Sequence, residues 1–438
     1  MKKGLSYRDL LALGVGQVIG AGVVTLVGQA VGITGRSAWL AFAFAVVLGF
    51  FIIMPYIFLS SMIRVKGGNY TFVASVLGEQ WGGMYGLAFT LNSLASGMFG
   101  LSMATYLKAL IPGLPIKLTA VVVITIFYLI NIMGVSFLAK IQKVMSVCLI
   151  AGLTLFVVVG LFHLRPGTFN FSSPEFFTAG ADGFFRATMV LVFSCTGMSF
   201  IVAYSKEAQK PRRDVPFAIA STSLVVLVVY TLIAMVAGGV LPVEQVAGQP
   251  LTLVAEEIMS KPLYLAFIIG GPIMALATTL NSSFTVFTRP FHQMAKDGWV
   301  SPKMAVTNKY DCPFILVTIN YLIAIIPVLL DLSIATITSN CVLISRFSDI
   351  VAICAVILVP KRLPEAWENR YFRISKTAFY ALMALSLCID IFVIFMTMKN
   401  LTTTLIIFTV VLLLVFFLYC TLRIKTGKVK MEKSYELQ

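Results

Sequence analysis

The residues of this chain best placed to do chemistry are ones without side chains. Between Leu10 and Val31, glycine recurs at Gly14, Gly16, Gly20, Gly22 and Gly28. The tightest group, Ile19-Gly20-Ala21-Gly22, falls in the middle of an apolar stretch long enough to cross a bilayer. Helix-weakening residues at that depth predict a break. Breaking a helix inside a membrane frees backbone N–H and C=O groups, which is tolerated only where they are buried or line a cavity, so the stretch is a candidate ligand cradle. Gly16-x-x-x-Gly20 and Gly28-x-x-x-Gly32 read equally well as small-residue packing faces. A second interrupted helix at a matching position decides between the two.

Such a helix is predicted over Phe184 to Tyr204, whose centre, Phe193-Ser-Cys-Thr-Gly-Met198, is again small and flexible at mid-span. The two interruptions stand five helices apart, the pattern of a transporter built from inverted repeats with its substrate between them. A third candidate is the pair Arg346 and Asp349. Three residues apart, they share a helix face, and an unpaired charge at that depth is costly, so they are expected to pair with each other. The pair reads as a packing device or as a gate or anchor for an acidic substrate. Other titratable groups are sparse. His163 and His292, the only histidines, flank spans, and the seven cysteines lie mostly in apolar runs without a CxxC pair. These features exclude a histidine metal cluster and a disulfide framework, and leave too few acids and bases for a membrane-embedded enzyme.

The elements that must position these residues are membrane helices. Of 438 residues 59% are hydrophobic and 12% charged, too apolar for an ordinary soluble domain. Twelve runs of spanning length are centred near Ile19, Gly49, Ala95, Ile126, Thr154, Phe193, Val228, Ala277, Tyr321, Arg346, Ser386 and Val411. The fold class is therefore all-α integral membrane, with no soluble domain between spans. The net charge of +15 arises from lysines and arginines that, with the N-terminus inside, fall mainly in inner loops. That is the positive-inside pattern: both termini are expected in the cytoplasm, the lipid bilayer is the partner, and nucleic acid is not. The first span continues into a second without a cleavage site and reads as a retained helix. Spans three and eight carry small polar residues, including Asn92, Ser96, Asn281, Ser282 and Ser283, and span eight is expected to turn its hydroxyls into the bundle. Spans eleven and twelve have few polar centres apart from Asp390 and look peripheral.

Three motifs resemble the amino acid, polyamine and organocation superfamily of transporters. They are Gly16-x-x-Ile19-Gly20-Ala21-Gly22; Phe193-x-x-x-Gly197 followed by Ser205-Lys206-Glu207-Ala208 and Pro211-x-x-Asp214-x-Pro216; and Asn281-Ser282-Ser283 through Arg289 to Lys296-Asp297-Gly298. The resemblance covers essentially the whole chain. It implies the leucine-transporter fold: two inverted five-helix repeats, at 1–163 and 181–360, and two additional helices at 376–423. It also implies that N–H groups of Ala21 and Gly22, beside Gly20, take a substrate carboxylate, while carbonyls around Val18, Ile19, Phe193 and Thr196 take its ammonium. Half-helix termini suit both charges. Phe193 matches the family's aromatic gate, Gly197 of the same motif is counted with the substrate-binding residues, and Cys195, Met198, Asn92, Ser96 and Asn281 are the expected source of side-chain selectivity.

The resemblance further implies a cation site from the carbonyls of Gly16, Ile19 and Thr279 with the hydroxyls of Ser282 and Ser283. Lysine-bearing relatives fill that point with an ammonium. Here the matching position is Leu149, with Lys140 and Lys143 nearer the cytoplasm, which leaves the oxygens open to sodium or the carrier open to proton coupling. Where the family often has paired acids after span six, this chain has Lys206-Glu207.

The expected function is secondary transport or exchange of amino acids by alternating access, in the cell membrane and without a cofactor. No acidic residue stands near the two breaks in the sequence, Asp182 being at the outer end of span six and Asp349 on span ten, so neutral substrates are expected. The alternatives are acidic amino acids, another small zwitterion or amine, or a channel. Which amino acid, the direction of flux and the oligomeric state are left open.

Overall fold

Helix-forming apolar runs, punctuated by glycine, proline and capping residues, give an almost wholly helical chain. The computed structural model describes residues 5–65, 68–133, 135–205, 207–399, 401–431 and 435–437; of Ala21, Lys140 and Lys143 only the backbone is described, and Lys206 lies outside the described residues. Among these residues, nine helical stretches are long and apolar enough to cross a membrane. One of them, Gly22–Met62, turns back at Gly35–Ser37 and so makes two crossings, and the apolar helices Ile116–Ile132 and Phe314–Leu329 are shorter. The twelve spans expected from the sequence are all present.

Span one is two helices, Tyr7–Val18 and Ala21–Thr34. The first opens on a capping box, with Asp9 accepting from the Ser6 N–H at 2.9 Å. Span two is Ala38–Met62 and span three runs from Glu79 to Leu110 through a tight turn at Asn92–Leu94. Spans four and five are Ile116–Ile132 and Val135–Leu161. Span six is Gly180–Val192, a 3₁₀ turn at Phe193–Cys195, and a 3₁₀ helix at Gly197–Tyr204. Span seven is Pro211–Gly239. Span eight runs from Lys261 to Lys296 with a wide π turn at Ile269–Ile273. Spans nine to twelve are Phe314–Leu329, Ile334–Arg362, Lys376–Met398 and Thr403–Lys425. A short antiparallel pair joins Ile63–Val65 to Tyr435–Leu437.

The glycines of span one do pack, as one reading of the sequence held. A Cβ on Gly16 would lie 2.4 Å from the Ser146 hydroxyl of span five, and one on Gly28 would lie 1.8 Å from the Gln249 carbonyl. At the centre of the span the helix also breaks. Packing and interruption are both real.

Both chain ends sit at the end of the bundle where spans two, six and eight finish. Leu5 exchanges backbone bonds with Glu207 and Gln209, and the Lys430 N–H donates to the Asp297 carbonyl at 2.9 Å. The Lys296-Asp297-Gly298 motif is the hub there: Tyr70 donates to Asp297 at 2.8 Å, Trp299 to the Tyr70 hydroxyl, and Arg423 to the Gly298 carbonyl. Gly298 has φ +87, and a Cβ would lie 2.2 Å from the Lys428 carbonyl, so only glycine serves. The opposite end is sealed. Arg36 pairs with Glu175 at 2.8 Å, the Gly248 N–H donates to Gly28, and the Tyr106 hydroxyl bonds both Val24 and Leu251.

Candidate substrate-binding site

The first helix of span one ends at Val18, and its cap Ile19 still sends its N–H to the Val15 carbonyl at 2.8 Å. Gly20 is the hinge, and the second helix begins at Ala21 with no side-chain cap. Its first N–H groups, from Ala21, Gly22 and Val23, have no partner within the helix. A Cβ on Gly22 would fall 1.9 Å from Cβ of Ser194, and one on Gly20 would fall 1.7 Å from the Thr279 hydroxyl. Bare backbone therefore lets spans six and eight close directly on the break. Tyr230 of span seven donates its hydroxyl to the Val18 carbonyl, satisfying a group the break frees. Nothing in the sequence around Tyr230 announced this.

Span six breaks differently. Its polar side chains bond back to their own carbonyls: Ser194 and Cys195 donate to Leu191 at 2.7 and 3.3 Å, and Ser199 donates to Thr196 at 3.0 Å. Short hydroxyls that compete for backbone in this way loosen an α-helix into tighter turns.

Between the breaks lies a cavity of about 990 Å³, counted to its mouth. Span one contributes Gln17, Val18 and Gly22; span two Tyr56; the loop before span three Asn69; and span three Tyr85, Phe89, Asn92, Ala95 and Phe99. Phe193, Ser194, Thr196, Gly197, Ser199 and Phe200 come from span six; Thr279, Ser282, Ser283, Val286 and Phe287 from span eight; and Ser345, Arg346, Ser348 and Asp349 from span ten. The cavity runs from Gly22 and Phe193 toward Asn69, on the side that carries both chain ends.

Of the residues singled out from the sequence, the structure brings Val18, Gly22, Phe193, Thr196, Gly197, Asn92, Thr279, Ser282 and Ser283 to this cavity. Ile19 is buried behind the break, and Gly20 and Ala21 form the backbone joint itself. Four residues lie elsewhere. Cys195 is fully buried and faces span two, where a Cβ on Gly49 would meet its carbonyl at 2.5 Å. Met198 is fully buried, Ser96 bonds Ser283 at 2.9 Å, and Asn281 donates to Gln142 at 2.8 Å. Ser96 and Asn281 thus spend hydrogen-bonding groups on neighbouring helices, while Cys195 and Met198 are packed in the core. The Val18 and Thr196 carbonyls, expected to receive an ammonium, already accept from Tyr230 and Ser199.

The cation oxygens do not present themselves as a ready set. Ser283 donates to Leu280 at 2.9 Å and bonds Ser96, while Thr279 donates to Ala275 at 2.9 Å. Gly16 abuts Ser146 of span five, and Leu149 is fully buried. Serine and threonine bonding back to their own helix accounts for these contacts without an ion.

Arg346 and Asp349 pair as expected, Nη2 to Oδ2 at 2.7 Å. The pair has a further partner the sequence did not reveal: Arg346 Nη1 meets Asp390 Oδ1 of span eleven at 3.0 Å. Span eleven, a peripheral helix, is thus tied to the centre through Asp390. Asp349 also accepts from Tyr56 at 2.6 Å, and Arg346 reaches Thr196 of the span-six break at 3.4 Å. The expectation that no acid stands near the breaks is overturned, because folding brings Asp349 from span ten onto the cavity wall.

Comparison with known proteins matches residues 5–417 to the family model described as amino acid permease. The branched-chain amino acid permease BcaP of Bacillus subtilis (strain 168) is 25% identical over 341 residues, covering 72% of each chain. Cationic amino acid transporter 2, vacuolar, of Arabidopsis thaliana is 27% identical over 336 residues, covering 70% of this chain and 52% of that one. The methylthioribose transporter of Bacillus subtilis (strain 168) is 24% identical over 336 residues, covering 71% of each.

Proposed function

This chain belongs to the amino acid permease family, and on that premise we propose that it carries neutral amino acids with apolar side chains across the cell membrane by alternating access. The observation that carries the reading is the cavity itself. It has the uncapped start of Ala21–Thr34 on one side and, around it, Phe89, Phe99, Phe193, Phe200, Val286 and Phe287. Helix N–H groups at Ala21 and Gly22 take the carboxylate. The Phe193 carbonyl takes the ammonium, and the aromatic wall takes the side chain. Arg346 is occupied by two acids and is not free for an acidic side chain.

In this reading the first repeat is 1–163, the second 181–360, and 376–423 a two-helix addition, with both termini in the cytoplasm. The cavity is then the inward-facing form, closed outside by Arg36–Glu175 and the Gly28–Gly248 contact. The similarity to a branched-chain permease agrees with an apolar side chain.

Asp349 on the cavity wall favours a second reading, a cationic side chain. Counterflow into proteoliposomes loaded with leucine, valine, lysine or glutamate separates the two. Saturable exchange of leucine and valine, without conductance, is expected. Preference for lysine establishes the second reading, and conductance without saturation removes both.

A further inference from the structure

Arg346 is 2% exposed, and its two terminal nitrogens hold two different acids, Asp349 on its own helix and Asp390 on span eleven. Guanidinium is always charged. With both acids ionised the cluster carries a net negative charge largely removed from water, with only Asp349 facing the cavity, whereas one added proton makes it neutral, and burial favours the neutral form.

Local bonding says where that proton belongs. Asp349 has a donor at each oxygen, Tyr56 on Oδ1 and Arg346 on Oδ2. Asp390 is fully buried, and among the described residues its Oδ2 has no hydrogen-bond partner; one turn earlier on the same helix Ser386 is fully buried with its hydroxyl likewise unpartnered among them. An ionised oxygen needs donors there, while a carboxylic acid brings its own O–H. The groups facing the cluster, element by element, are Tyr56 from span two, Tyr85 beside it from span three, the Thr196 hydroxyl from span six, and the two acids on spans ten and eleven. Arg346 supplies the cationic charge among the described residues at this cluster.

We infer that Arg346, Asp349 and Asp390 form a binding site for one proton, and that the carrier moves this proton together with its substrate. Water in the cavity reaches Asp349. A hydronium ion there gives up its proton to a carboxylate oxygen, one O–H bond forming as another breaks. Release on the other side reverses the step. Whichever acid takes the proton leaves Arg346 with a single ionised partner. Because Arg346 Nη2 is shared between Asp349 and Thr196, proton occupancy changes what holds the span-six break. The transport half rests on the amino acid carrier reading; proton binding stands on the cluster alone.

Infrared spectroscopy of the purified full-length protein tests proton binding without any substrate. The parent is expected to show a buried protonated-carboxyl stretch at neutral pH, lost in both Asp390→Asn and Asp349→Asn, since either leaves one acid to one guanidinium. Absence of the band in the parent, or its persistence in the variants, overturns the site, and the parent spectrum decides even where a variant fails to fold. In proteoliposomes, a one-unit inside-alkaline pH gradient should raise leucine accumulation about tenfold for one coupled proton. Asp390→Asn should lose that accumulation but keep leucine–leucine exchange. Equal gradient-driven accumulation by parent and variant overturns the coupling. Failure of the parent to take up any amino acid counts against the carrier reading, and the infrared band still decides the proton site.

Discussion

The break in span one occupies two residues, Ile19 and Gly20, whereas span six stays unwound from α geometry from Phe193 to Tyr204. Span one reaches its break with bare backbone, and its freed Val18 carbonyl is satisfied from outside by Tyr230. Its helix-start N–H groups are left without side-chain caps. Span six satisfies its carbonyls from within, through Ser194, Cys195 and Ser199, and is gripped from behind by Arg346 at Thr196. On the proposed carrier reading, the contrast separates two duties. A backbone cradle suits the part every amino acid shares, and a side-chain-laden wall suits the part that varies and the part that moves.

The most forceful way to break this contrast is to remove the grip on span six. Arg346→Ala leaves Asp349 and Asp390 without their shared partner, and stability is expected to fall by about 3–5 kcal/mol, read as a lower thermal midpoint and reduced yield. Adding Asp390→Asn should recover part of the loss. A variant as stable as the parent would show that the cluster does not hold the break.

A smaller effect, about 1–3 kcal/mol, is expected from overpacking at Gly22→Ala, where the new Cβ meets Ser194 Cβ at 1.9 Å. Gly20→Ala should cost less, because it meets the Thr279 hydroxyl, the end of a side chain able to rotate. Ser194→Gly added to Gly22→Ala sharpens the comparison. Recovered stability with lost leucine binding keeps the cradle, while recovery of both reduces Gly22 to a packing residue.

The smallest effect is expected from sodium. Leucine affinities measured in sodium and in choline should agree within roughly twofold, since the Ser283 and Thr279 hydroxyls are bonded back to their own helix. A clear preference for sodium would restore the ion to the space between spans one and eight.

Periodicity and glycine placement made the twelve spans and both breaks readable, because membrane length and the demand for satisfied backbone leave few alternatives. The Arg346–Asp349 pair was readable for the same local reason, a three-residue spacing on one helix. Asp390 was not, because nothing local says which neighbour a buried acid will find. Ser96 and Asn281 show the complementary limit: a polar residue in a span serves a cavity or another helix, and the sequence does not say which. Cys195, placed at the site only by the resemblance, is turned against Gly49 of span two by 3₁₀ turns that no local pattern in the sequence announces.

That winding also sets a length. Residues rise ~2.0 Å each in a 3₁₀ helix against ~1.5 Å in an α-helix. The eight residues Gly197–Tyr204 therefore reach roughly 4 Å further than they would as α-helix. With three residues to the turn, Gly197 and Phe200 fall on one line, and both face the cavity. The half of span six that follows the break is thus a drawn-out rod whose contour, and with it the distance from Thr196 to the Glu207 contact with Leu5, depends on which winding it adopts.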